Sequence, residues 1–206
     1  MFCRERTSTQ YKRYVSKCFP LPEMRYRKAR GTNVNAPHIA GHNFVFGGKK
    51  MINGHFYFIK NSFYDSLSDC NLMTNKGNDF DCCGGRPCHY CFEYEDYFWM
   101  IPISSQVDKF KSIYQHKIEK RGFCDTIRFG YINGKERAFL IQNCFPVTKE
   151  YIDEEYKINK NTVSVTISED LSKELNGLLR KVIRCYANGQ IIPLTKIDKI
   201  MKFLNK

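Results

Sequence analysis

The pattern of apolar and polar positions changes abruptly at Met51. Residues 1–50 show neither a helical nor a strand period and are rich in Arg, Lys, Gly, Asn and Pro. From Met51 the pattern becomes regular. Residues 55–60 (His-Phe-Tyr-Phe-Ile-Lys) predict a strand and 62–67 a short turn or helix. Residues 68–85 are a loop of Asn, Asp, Cys and Gly. His89 to Glu93 and Tyr97 to Ile103 predict two aromatic-rich strands, with Glu95-Asp96 as their turn.

Further on, Val107, Phe110, Ile113, Tyr114 and Ile118 recur at helical spacing over 107–120, and Gly122 ends that helix. Residues 126–132 and 135–143 flank Asn133-Gly134, the strongest short hairpin signal. Residues 149–156 allow one helical turn, and 163–167 alternate as a short strand. Ser168 is placed to cap a helix through Tyr186 that Asn188-Gly189 ends. Thr195 and Asp198 have capping-box spacing before a last helix at 196–204. These elements predict an α+β protein: a small sheet or barrel with helices on the outside.

Sixteen Phe and thirteen Tyr supply a core for one domain, which excludes a disordered chain. No apolar run is long enough for a membrane span, and the N-terminus lacks the apolar segment of a secretory signal, so the expected location is cytoplasmic. The net charge of +12 suggests an acidic partner. It is concentrated, however, because residues 1–50 carry eleven Lys or Arg against two Asp or Glu. Gly47-Gly48-Lys49-Lys50 can be written in purine-rich codons, as a ribosome-binding site would be. The expectation is therefore an unstructured basic extension at 1–50, arising from a misplaced start, before a domain at 51–206. The alternative is an RNA-binding arm.

Three places could carry chemistry. Ser104-Ser105, between an aromatic strand and a helix that begins with Lys109 and Lys111, could cap that helix or bind phosphate at its N-terminus. Arg86, after Gly84-Gly85 and before a strand, could pair bidentately with phosphate or lie solvated in a turn, and Lys76 has the same ambiguity. Cys82, Cys83, Cys88, His89 and Cys91 lie within ten residues. No matching Cys/His pair follows at finger spacing, and strand alternation would send Cys88 and Cys91 to opposite faces, so no metal site is assigned. There is no P-loop, GxGxxG, HExxH or acidic cluster, which argues against NTPases, dinucleotide enzymes and metal-dependent nucleases.

The run Phe56-Tyr57-Phe58-Ile59, then Arg86-Pro87, Trp99-Met-Ile-Pro-Ile-Ser104-Ser105 and Phe139-Leu-Ile-Gln-Asn-Cys-Phe-Pro146 resembles the toxins of type III toxin–antitoxin systems, the ToxN, AbiQ and CptN group, CptN most of all. The resemblance spans about residues 51–204. It implies a MazF-like twisted antiparallel β-barrel with peripheral helices. It implies a metal-independent endoribonuclease needing no cofactor, inhibited by a repeated RNA pseudoknot antitoxin and acting in abortive phage defence. Ser104 and Ser105 fall on the family's hydroxyl pair, and Arg86 near its basic residue. The family's Lys two residues beyond the pair is Val107 here, so Lys109 is taken as its substitute. The catalytic set implied is Ser104, Ser105, Arg86 and Lys109. The RNA-binding set is Lys76, His89, Tyr90 and Lys111. Two other classes stay open: a non-catalytic RNA-binding or zinc-binding module, and a toxin of the same fold that acts on a protein.

Overall fold

The computed structural model describes residues 45–46, 49–75, 85–94, 96–159, 162–190 and 193–205. Lys76 and the Cys82-Cys83 pair lie outside the described residues. Val45–Phe46 (β1) pairs with Lys49–Lys50 (β2), so the stretch expected to lack regular structure ends in a short two-stranded sheet.

A seven-stranded antiparallel sheet forms the body. Its strands are Phe56–Ile59 (β3), Cys88–Tyr94 (β4), Tyr97–Ser104 (β5), Arg128–Ile132 (β6), Lys135–Phe139 (β7), Phe145–Val147 (β8) and Ile152–Glu155 (β9). Their order is β6-β7-β5-β4-β3-β9, with β8 also paired to β5. Among the described residues the end strands β6 and β9 do not pair, so the sheet is open and the expected closed barrel does not form. Lys157–Ile158 (β10) and Val163–Ser164 (β11) make a separate small ribbon.

The central strand β5 is buried at all eight positions. Its side chains alternate between two cores, as a pleated strand requires. Trp99, Ile101 and Ile103 join Phe56, Phe58 and Phe139 on one face, covered by Leu175, Leu179 and Val182 of the helix Glu169–Ala187 (α3 below). Phe98 and Met100 join Tyr57, Ile59 and Phe145 on the other, covered by Phe63 and Leu67 from the helix Asn61–Ser66 and its end (α1) and by Ile200 from the helix Ile197–Leu204 (α4). A third cluster puts Phe110 of the helix Val107–Arg121 (α2) on Ile127, Ala138 and Leu140.

One edge of β5 is shared. Phe98–Met100 pair with β8, whereas Ile103 and Ser104 pair with β7. Pro102 lies at the break, where its missing N–H is tolerated. Its carbonyl accepts from Leu140 N at 3.1 Å. The chain passes from β7 to β8 through a 3₁₀ turn at Ile141–Asn143.

Local signals account for most boundaries. Asn133 and Gly134 take φ 50° and 73°, the left-handed pair of a tight hairpin. Gly122 ends α2 at φ 77°. Ser168 Oγ accepts from Leu171 N and caps α3. Three expectations are corrected. Residues 149–156 form a 3₁₀ turn and then β9, because Ile152 and Glu155 pair with β3. Residues 140–143 leave the second hairpin strand for the 3₁₀ crossing. The Thr195/Asp198 capping box does not form, because Thr195 is buried and its hydroxyl donates to Cys144 O at 2.5 Å.

Leu179→Ala is expected to cost about 2–5 kcal/mol through a cavity under α3. Leu194→Ala, at a half-exposed position, is expected to stay within about 0.5 kcal/mol. Denaturant unfolding of both variants checks the pair.

Candidate functional site

Where β4 and β5 meet the start of α2, a cavity of about 300 Å³ opens. Arg86, Ser104, Ser105 and Gln106 form one side. The segment Asn71 to Thr74 forms another, and Asn143 contributes from the 3₁₀ turn. Arg86 is 8% exposed and held at three points. Its backbone N–H donates to Asn75 Oδ1 at 2.6 Å, Nε donates to Thr74 O at 3.1 Å, and Nη1 donates to Ile103 O. Asn75 in turn donates to Asn61 Oδ1 at 2.7 Å. Gly85 makes this seat possible. Its φ is +102°, and a Cβ there would lie 2.3 Å from Asn75 Oδ1.

No carboxylate pairs with Arg86 among the described residues. Among the described residues its side chain is bonded by carbonyl oxygens alone, through Nε and Nη1. A planar cation fixed in this way is preorganised for an anion. Asp108, in the first turn of α2, answers part of that helix's dipole.

The serines do not cap the helix as expected. The N-cap residue is Gln106, with no side-chain cap. Ser104 is buried at the end of β5, and its Oγ accepts from Gln106 N at 3.2 Å. That bond fixes the hydroxyl oxygen and leaves its proton for another acceptor. Ser105 is exposed, with its carbonyl accepting from Val107 N at 2.8 Å.

Of the remaining expected residues, those among the described ones do not line the cavity. Lys109 is exposed on α2, its Nζ 5.9 Å from the Phe110 ring, and it is not in the cavity lining. Lys111 pairs with Glu136 at 2.7 Å, which raises its pKa through that bond, and lies over Phe129. Tyr90 is 5% exposed, edge-on to Tyr57. His89 is fully buried against Phe56 and Phe139. The expected RNA contacts of His89 and Tyr90 are therefore corrected: both are core residues, out of reach of a polymer.

Burial, with a smaller push from His55, drops the His89 imidazole to about 3. Neither ring nitrogen has a hydrogen-bond partner among the described residues. Cys88 and Cys91 do lie in different cores on opposite faces of the sheet. Burial pushes the Cys88 thiol up to about 12 and the Cys91 thiol well up, which makes both unreactive. Among the described residues no cluster of His, Cys, Asp and Glu could hold a metal, and no helix is long and apolar enough to cross a membrane.

Asn75 and Asn143 were missed in the sequence. Asn143 had a signal, since Gln142-Asn143 interrupts the apolar run from Phe139 to Phe145. Asn75 had none, because its partners are set by the fold.

No protein-family model and no curated protein matches the chain. A solved structure described as "A processed non-coding RNA regulates a bacterial antiviral system" is similar in fold, with 8% identity and a TM-score of 0.47. The match covers 72% of this chain and 95% of that one. A likeness at this level does not establish what the chain does. The cavity's residues carry that argument.

Gly85→Ala is expected to displace Asn75, loosen Arg86 and lower the melting temperature by several degrees, read by thermal unfolding. His89 gives a pH dependence of known sign. Its folded pKa lies below its unfolded value, so the stability is present above about pH 6.5 and is lost as pH falls toward 3. Between pH 7 and pH 5 it should remove about 2 kcal/mol. Urea unfolding at both pH values should show that loss in the natural chain and a smaller one in His89→Leu.

Proposed function

We propose that the chain is an endoribonuclease toxin of the type III toxin–antitoxin kind, cutting RNA without a metal ion at the Arg86 cavity. The observation that carries this reading is a buried guanidinium with no carboxylate partner among the described residues, sharing a polar cavity with two serines. The sequence resemblance to the ToxN, AbiQ and CptN group supports it. The sheet's openness leaves the cavity intact, since Arg86 is seated by Thr74, Asn75 and the Ile103 carbonyl, and the serines lie between β5 and α2.

RNA carries its own nucleophile. The 2′-oxygen attacks the adjacent phosphorus and loses its proton as the bond forms. The 5′-oxygen departs and takes a proton as its bond breaks. The products are a 2′,3′-cyclic phosphate and a 5′-hydroxyl. Charge grows on the non-bridging oxygens, where a fixed guanidinium contributes most, because it needs no reorganisation during the reaction. Ser104 and Ser105 orient the phosphate so that the 2′-oxygen lies in line. Lys109, exposed in the first turn of α2, supplies a second cation when RNA is present. Lys76 and Lys111 contribute to RNA attraction. A repeated RNA pseudoknot antitoxin is the inhibitory partner in this reading, and release from it arrests growth during phage infection.

Incubation of the full chain with mixed RNA in excess EDTA tests the proposal. Discrete cuts with cyclic-phosphate ends are expected. Ser104→Ala/Ser105→Ala should lower the rate by about 100-fold or more. Arg86→Lys keeps the charge but loses the planar fork, and should lower it at least about tenfold. Undiminished cutting by the double-serine variant would place the chemistry elsewhere. Abolition by EDTA would overturn the metal-free mechanism.

A further inference from the structure

Asn143 is 9% exposed and lines the cavity, yet its side-chain amide makes no hydrogen bond to any described residue. An amide offers two donors and an acceptor, and a buried one is normally satisfied. This one is also held in place. The 3₁₀ turn that carries it is bonded on both sides: Gln142 N donates to Thr126 O at 3.1 Å, and Leu194 N donates to Gln142 O at 2.8 Å. Lys117 Nζ of α2 donates to the Gln142 side chain and to Thr126 Oγ1. Asn143 N donates to Leu140 O at 2.9 Å. The backbone that carries the amide is therefore fixed, and the amide itself is uncommitted among the described residues.

The cavity has two chemically distinct parts. Arg86, Ser104, Ser105 and Gln106 suit an anion. Leu72 and Met73, both half-buried, form an apolar wall. An uncharged amide adds little to phosphate binding beside a guanidinium, but it can pair with the donor and acceptor of a base edge at once. An apolar wall with a thioether suits the face of a planar ring. About 300 Å³ is at the lower end of the volumes that hold small ligands.

We infer that Asn143 is a specificity-determining residue that reads the edge of the nucleobase beside the scissile phosphate, with that base lying on Leu72 and Met73. The inference rests on the ribonuclease reading above and adds the substrate feature that the cavity selects. A site that pairs a buried polar group with one base rejects the others strongly, because the wrong base leaves that group unpaired.

The test maps cut ends on a random RNA pool for the full chain, Asn143→Ala and Asn143→Asp. The natural chain should prefer one base beside the cut by about 100-fold, and Asn143→Ala should reduce the preference to about tenfold or less. Asn143→Asp keeps the size but replaces the donor by an acceptor, so its preferred base should change. It also carries the test if the alanine variant does not fold. An unchanged base preference in both variants overturns the inference.

If the natural chain cuts no RNA, the ribonuclease reading fails, and a second measurement judges Asn143 alone. The four nucleoside 3′-monophosphates and inorganic phosphate are titrated into the full chain while the Asn143 side-chain amide resonances are followed. A shift with one base, at concentrations where the others and phosphate produce none, supports base reading. Equal shifts, or none, overturn it.

Discussion

A strand buried on both faces must find a partner for every backbone polar group along its length, and β5 does so with three neighbours at once. The site follows from that constraint. Because β8 and β7 divide one edge of β5 at Pro102, the chain between them has to cross the break in a tight turn, and that turn brings Asn143 to the cavity. Because β5 ends at Ser104, the hydroxyl lies at the rim of the sheet just where α2 begins. The Ile103 carbonyl, one residue earlier, is the anchor for Arg86.

Arg86 is a buried charge with no counter-charge among the described residues. Carbonyl oxygens of Thr74 and Ile103 orient the guanidinium, and Asn75 fixes the backbone beside it. A carboxylate would stabilise the cation more but would also occupy the donors that an anion needs. In the proposed reading the arrangement trades some stability for binding capacity. His89 is the contrasting case: a titratable group in the same region that burial holds neutral within an aromatic core.

Much of this fold could be read along the chain. The helix at 107–121, the hairpin at Asn133-Gly134, the Ser168 cap and the aromatic pair of strands each rest on contacts within a few residues. Their signals are therefore local. The strand at 152–155 was not legible, since its reason for being extended is β3, nearly a hundred residues earlier. Of the site, Arg86, Ser104 and Ser105 could be singled out because a polar group stands at the end of an apolar run. His89 and Tyr90 misled for the opposite reason. Polar tips on aromatic rings look available in a sequence, and only the packing of two cores around β4 shows that they are not.

Residue types and short-range spacing determined which segments are helices and strands, where they stop and which side chains could bind a phosphate. Those properties depend on steric preferences and capping within one or two turns of chain. The order of the strands, the open sheet in place of a closed barrel and the meeting of Arg86, Ser104 and Asn143 were decided only by tertiary structure. Each depends on contacts between residues far apart in the chain, formed as two cores bury opposite faces of one strand, and no local pattern encodes which distant partners those will be.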